Sequence, residues 1–223
     1  MVGIAGAALG ALGFLASVTL LALQLRTVPT QDPQARPSLS PPAVVATTPP
    51  VPARHVFPVL GDVSYAHSHH GYPATDIMAD CGLTYVAPYP GVVDEVSRVD
   101  QYDRAVNDGA TRGGLSVSIV GDDGVRYYGS HFSAIAKEIA PGHRVAAGDP
   151  VATVGRTGDA GACHVHFGLS PVCADGDWFV RRGVIWPWSY LDSWRSGGDA
   201  LPLPEIQQWL ATDGCPDRPA VEP

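Results

Sequence analysis

Several absences narrow what this 223-residue chain can do before any motif is read. It has no visible basic patch and a formal net charge of -8, so nucleic acid is not expected as its main partner. None of its four cysteines, Cys81, Cys163, Cys173 and Cys215, stands in Cys-x-x-Cys spacing, which argues against a zinc-thiolate knuckle. No internal period suggests a solenoid. Helical patterning is scarce, confined to stretches near Ser133–Glu138, Tyr190–Trp194 and Pro204–Ala211. In its place stand 25 glycines and 21 prolines, which imply many turns. The expectation is a mostly-β domain.

Charge is also missing from Val2 to Leu25. A run of that length suits a spanning helix of about 20 residues better than a signal-peptide core of about 7–15. Residues 1–26 therefore read as an uncleaved membrane anchor, with a signal segment as the alternative. Arg26 would place the following side in the cytoplasm, whereas the cysteines suit export, and export is the reading adopted. Residues 27–54 include Pro41-Pro42 and Pro49-Pro50-Val51-Pro52, a composition that favours extended polyproline segments over a packed core. They read as a spacer.

The globular part is expected over 55–195, followed by a weakly structured tail with one short helix over 196–223. Short β-like runs occur at Thr84–Ala87, Val92–Val99, Leu115–Val120, Val125–His131, Val151–Val154 and Cys163–Leu169. Turn signals such as Gly121-Asp122-Asp123-Gly124 separate them, so an antiparallel sheet or sandwich is expected. Five tryptophans follow Gly168; the Ile185–Leu191 stretch reads as a closing flap or core lid, with a carbohydrate-stacking surface as the alternative.

Chemistry concentrates in Cys163-His164-Val165-His166-Phe167. Alternation along a strand turns His164 and His166 to one face and Val165 and Phe167 to the other. Partners for the two imidazoles lie in two places. His70 and Asp76 are separated by an even spacing that suits one face of an extended segment; His67 and His69 are weaker candidates that need an irregularity near Gly71 and Pro73. His131 ends a strand whose alternation groups it with Tyr127 and Gly129. Should the histidines and Asp76 converge, Cys81–Cys163 is a natural disulfide and leaves Cys173–Cys215, although Cys163–Cys173 is also open.

The order His70…Asp76, then His131, then His164-Val165-His166 resembles the M23 family of zinc metallopeptidases, the lysostaphin or LytM-type peptidoglycan endopeptidases. The resemblance covers about residues 56 to 170, including Ala87-Pro88…Gly91-Val92-Val93 and the run Pro141-Gly142…Gly148…Gly155…Gly158. The interval from His70 to Asp76 is two residues longer than in the family's usual His-x-x-x-Asp motif, and the Tyr-Pro-Ala-Thr-Asp form is similar to that of actinobacterial members. The resemblance implies a LytM-type β domain in which His70, Asp76 and His166 hold Zn²⁺ while His131 and His164 form the catalytic pair. It implies peptidoglycan peptides as substrate, the membrane as a partner through the N-terminal helix, and other cell-wall enzymes as candidate partners. No His-Glu-x-x-His is present, so a glutamate base on the thermolysin pattern does not apply. An inactive LytM-type regulatory module is the alternative, and the presence of all five residues favours the enzyme. A lipoyl-like carrier is disfavoured because no lysine stands at a hairpin tip.

Overall fold

In the computed structural model, the described residues are 53–173 and 177–216. The expected N-terminal anchor and most of the Pro-rich spacer lie outside them. Among the described residues no helix is long and apolar enough to cross a membrane.

The chain folds as β1 (Val59–Leu60), β2 (Val63–Ser64), β3 (Thr75–Ala79), β4 (Thr84–Val86), β5 (Gly91–Ser97) and β6 (Leu115–Gly121). It continues as β7 (Arg126–Phe132), β8 (Ala134–Ile135), β9 (Arg144–Val145), β10 (Pro150–Thr153) and β11 (His164–Ser170). Among the described residues three helices follow: α1 (Trp178–Arg181), α2 (Trp188–Arg195) and α3 (Leu203–Thr212). A seven-stranded sheet has the order β2-β3-β11-β7-β6-β5-β9, and a four-stranded sheet the order β1-β4-β10-β8. Every pairing is antiparallel, as expected from the short alternating runs.

Alternation divides the large sheet into two faces. Val165, Phe167 and Leu169 of β11 pair with Ile77, Gly129 and Tyr127, and with Val117 and Ile119 of β6 they form the core face, all but Gly129 within 1% of full burial. Tyr85 of the small sheet enters the same core and meets Phe132 at a ring separation of 4.9 Å. The opposite face carries His164, His166, Tyr128, Ser130, Ser116 and Ser118, and it floors the cleft described below.

Two expectations change. The stretch Ser133–Glu138 is not helical: Ala134 and Ile135 pair with β10, and turns follow. The sheet supplies partners for those backbone groups, which a weak local propensity cannot outweigh. Of the region read as a weakly structured tail, the described residues 196–216 are docked on the domain through α3. Ile206 of α3 is 1% exposed, and Leu203 and Trp209 pack against the core. His55 is stacked between Tyr89 and Trp194 at 4.3 and 4.7 Å, and its Nδ1 lies 2.8 Å from Asp199 Oδ1. Trp194 thus belongs to the core, whereas Trp186 is exposed.

Candidate metal centre and catalytic cleft

Three neighbouring strands bring the site together. In the β3–β11 ladder His166 stands directly opposite Asp76, and in the β11–β7 ladder it stands opposite Ser130. Directly opposed residues share a sheet face, so Asp76 and His166 project into the same cleft, with His164 two residues away on the same side. The disulfide Cys81–Cys163, with Cα atoms 5.3 Å apart, ties the end of β3 to the start of β11. Cys173–Cys215 is the second bridge.

His131 reaches the cleft by a different route. Strict alternation would point it with Tyr127 and Gly129 into the core. The β6–β7 register slips between Leu115 and Ser116, which leaves His131 as an extra residue, and its φ is +69°. This bulge turns the side chain onto the cleft face. Its main-chain N–H donates to Gly113 O at 2.9 Å, and its ring lies 4.6 Å from that of His164.

The first histidine cluster also departs from its expected geometry. Residues 65–74 form a loop, so the period-two argument for His70 has no strand to act on. Tyr72 N–H donates to His70 O, which tightens the chain, and His69 swings over Asp76 with its Nε2 3.6 Å from Oδ1. The donor atoms of His69, Asp76 and His166 lie within 4.8 Å of one another. His70 lines the cleft but is exposed and does not join this group. His67 is elsewhere, 3.2 Å from Asp192 and stacked on Trp188.

Four main-chain carbonyls orient the imidazoles. Nδ1 of His69 faces Tyr72 O at 3.1 Å, Nδ1 of His131 faces Thr157 O at 2.8 Å, and Nδ1 of His164 faces Ala162 O at 2.9 Å. His166 is reversed: its Nε2 faces Arg182 O at 2.9 Å, and its Nδ1 lies 3.1 Å from Asp76 Oδ1. A carbonyl can only accept, so each contact places the ring proton on the outer nitrogen and leaves a lone pair on the inner one. This is the outer support that metal-bound imidazoles ordinarily have. Gly168 makes the last contact possible, because a Cβ there would stand 2.2 Å from Arg182 O.

The electrostatics match. Burial pushes the Asp76 carboxyl up, but the hydrogen bond and charge of His166 and the nearby imidazoles outweigh it and hold the group at about 2. Burial, then the His164 and His166 charges, push His131 down to about 4. Burial and His166 also push His69 down. A charged carboxylate beside imidazoles whose inner nitrogens turn toward it is a donor set for a divalent cation. Two imidazoles and one carboxylate, with the cleft side open, fit zinc and leave room for a fourth ligand. His131 and His164 face this group as a ring pair whose inner nitrogens can accept a proton.

The cleft encloses about 440 Å³. Tyr72, Arg112, Arg182 and Trp178 also line it, and sequence reasoning did not single them out as site residues. The loop between β5 and β6 contributes Asn107, Gly109, Ala110, Arg112 and Gly113. The signal that could have found Arg182's carbonyl is Gly168 itself, since a glycine inside a strand marks a close backbone approach.

No curated protein matches the chain. Among solved structures, the catalytic domain of lysostaphin from Staphylococcus simulans is similar at 20% identity and a TM-score of 0.46, over 59% of this chain and 93% of that one. A prophage-encoded M23 protein from Enterococcus faecalis is 26% identical over 52% of this chain and 81% of that one, with a TM-score of 0.38. A zinc-containing peptidase from Vibrio cholerae is 18% identical over 53% of this chain and 36% of its own length, with a TM-score of 0.39. Residues 68–177 match the sequence model of peptidase family M23. That span holds every histidine of the cleft, and by it the chain belongs to peptidase family M23.

Proposed function

We propose that this chain is a zinc-dependent endopeptidase that hydrolyses peptide bonds of peptidoglycan outside the cytoplasmic membrane. The observation that carries this reading is the ring of four imidazoles around Asp76, each held by a main-chain carbonyl so that its lone pair turns inward. His69 through Nε2, Asp76 through Oδ1 and His166 through Nδ1 would hold the metal, with His69 taking the place that spacing had given to His70. When bound, zinc supplies Lewis acidity toward the scissile carbonyl and toward water.

The remaining chemistry belongs to the chain. His131 and His164 present their inner nitrogens at the cleft: one orients the attacking water and takes its proton, and the pair returns a proton to the leaving amine. Their Nδ1–H bonds to Thr157 O and Ala162 O fix both rings before substrate arrives, so little reorganisation accompanies the transfer. Two disulfides suit an oxidising compartment. The apolar run from Val2 to Leu25 would tether the domain to the membrane.

The test is incubation of the purified, zinc-loaded full chain with peptidoglycan, with and without a chelator. New amine termini that the chelator abolishes are expected. Their absence from the zinc-loaded sample would overturn the reading.

A further inference from the structure

His69 joins the metal group from the loop 65–74, which has no strand ladder to hold it. The conformational entropy of such a segment has to be offset by contacts made elsewhere. Those contacts come from α2 and from His67, a histidine that the metal group leaves unused. Leu191 and Trp194 bury one side of α2 in the core, at 0% and 4% exposure. Trp188, Asp192 and Arg195 stand at i, i+4 and i+7, a spacing that lines them up along a second face of the same helix.

That face meets every second residue of the incoming chain. Arg195 donates to Val63 O at 3.2 Å. Tyr65 OH donates to Asp192 Oδ1 at 2.7 Å, and His67 Nε2 lies 3.2 Å from Asp192 Oδ2. The His67 ring stacks on Trp188 at 4.2 Å, with 15° between the planes. Residues 63, 65 and 67 thus run against 195, 192 and 188 of the helix, and His69 is next in the series. Phe57 backs Tyr65 at a ring separation of 5.9 Å. The His67 and Asp192 side chains are 56% and 45% exposed, and exposed pairs are individually weak. The hold comes from several contacts acting on one short segment.

We propose that this face of α2 is a clamp for the loop that carries His69, with Asp192 as the central positioning residue and His67 as its tether. The inference rests on the reading of His69, Asp76 and His166 as a zinc site. Asp192 lines a separate groove together with Tyr65, His67 and Arg195, and it acts on the metal group through the backbone between His67 and His69. A ligand on a loop is competent only in the fraction of molecules whose loop is in place, and that fraction scales the apparent affinity. Residues 63–67 and the whole of α2 lie outside the span 68–177 that matches the family model, so that match assigns them no role.

The test is zinc affinity, measured on the full chain by competition with a chromophoric chelator. Asp192→Ala is expected to bind zinc about tenfold more weakly. Asp192→Asn keeps an acceptor for Tyr65 OH and should return to within about threefold of wild type. His67→Phe keeps a ring on Trp188 and should do the same, whereas complete loss of zinc in that variant would overturn the tether and make His67 a ligand. The kcat/KM deficit of Asp192→Ala on peptidoglycan should shrink as free zinc is raised, because binding draws the loop back into place. A deficit that zinc leaves unchanged would overturn the clamp, as would wild-type zinc affinity in Asp192→Ala. One measurement needs no variant to fold: in the metal-free wild type, backbone order parameters of residues 65–69 should match those of β3, and lower values there would overturn the clamp. Neither affinity nor order parameters involve a substrate. A chain that passes both and cleaves no peptidoglycan would defeat the peptidase reading and leave the clamp standing; cleavage by an Asp192→Ala variant of unaltered zinc affinity would do the reverse.

Discussion

His131 holds a φ of +69°, a region that costs an L-residue about 1–2 kcal/mol. The bulge and the Gly113 carbonyl hold it there, and the return is a ring that faces His164 instead of the core. Two substitutions separate backbone from side chain. His131→Gly and His131→Ala should both lose turnover by about 10²–10⁴-fold, but the glycine variant should unfold at higher urea, by about 1 kcal/mol, because only the alanine pays the left-handed penalty. The metal group offers a second comparison at this scale. His69→Ala and His166→Ala should lose both zinc and activity, whereas His70→Ala should keep zinc stoichiometry and His164→Ala should keep zinc while losing turnover. Metal analysis of the four purified variants checks this, and equal zinc loss in His164→Ala and His166→Ala would erase the division of roles.

At the level of elements, the decisive contact is between β11 and the chain just after α1. Gly168→Ala places a methyl where Arg182 O now sits. The expected result is an intact fold whose zinc affinity falls about 10–100-fold, as when the outer partner of a ligating histidine is lost. Competition with a chromophoric chelator measures it. The same contact shows where sequence reasoning stops. The His164/His166 face, the opposing apolar face and the antiparallel ladders were legible because all three follow from alternation within one strand. Asp76 was legible from its even distance to His70, yet the residue that meets it is His69, because residues 65–74 are a loop shaped by a turn and not by strand period. His131 was found for the wrong geometric reason: alternation aims it inward, and a one-residue register slip re-aims it. Arg182 was invisible, since it acts on His166 through a carbonyl, and every residue has one.

Taken whole, the domain buries Tyr85, Tyr127 and Tyr128 in its interior. All eight phenols are shifted up. Burial is the leading cause for each: Tyr65 and Tyr72 are pushed to about 12, and Tyr127, with Asp123 beside it, goes higher. A raised folded-state value means the folded chain holds the proton more tightly. The associated stability is therefore complete below about pH 10 and is lost as pH rises through the folded values. An alkaline titration should show tyrosinate absorbance emerging together with unfolding, and Tyr127→Phe should move that transition. The packing of α3 on the core and the bond between Asp199 and His55 tie residues 199–212 to the same unit.

The cleft draws on His69, Asp76, His131, Thr157, Ala162, His164, His166 and finally Arg182, and Cys81 waits 82 positions for Cys163. A ribosome delivers these pieces in order, so a growing chain carries one potential metal ligand after another without a working centre. His69 and Asp76 are present early and His166 is last of the three, with its carbonyl clamp later still. An unfinished copy is thereby unarmed. A peptidase built this way becomes competent only when nearly the whole domain has been made.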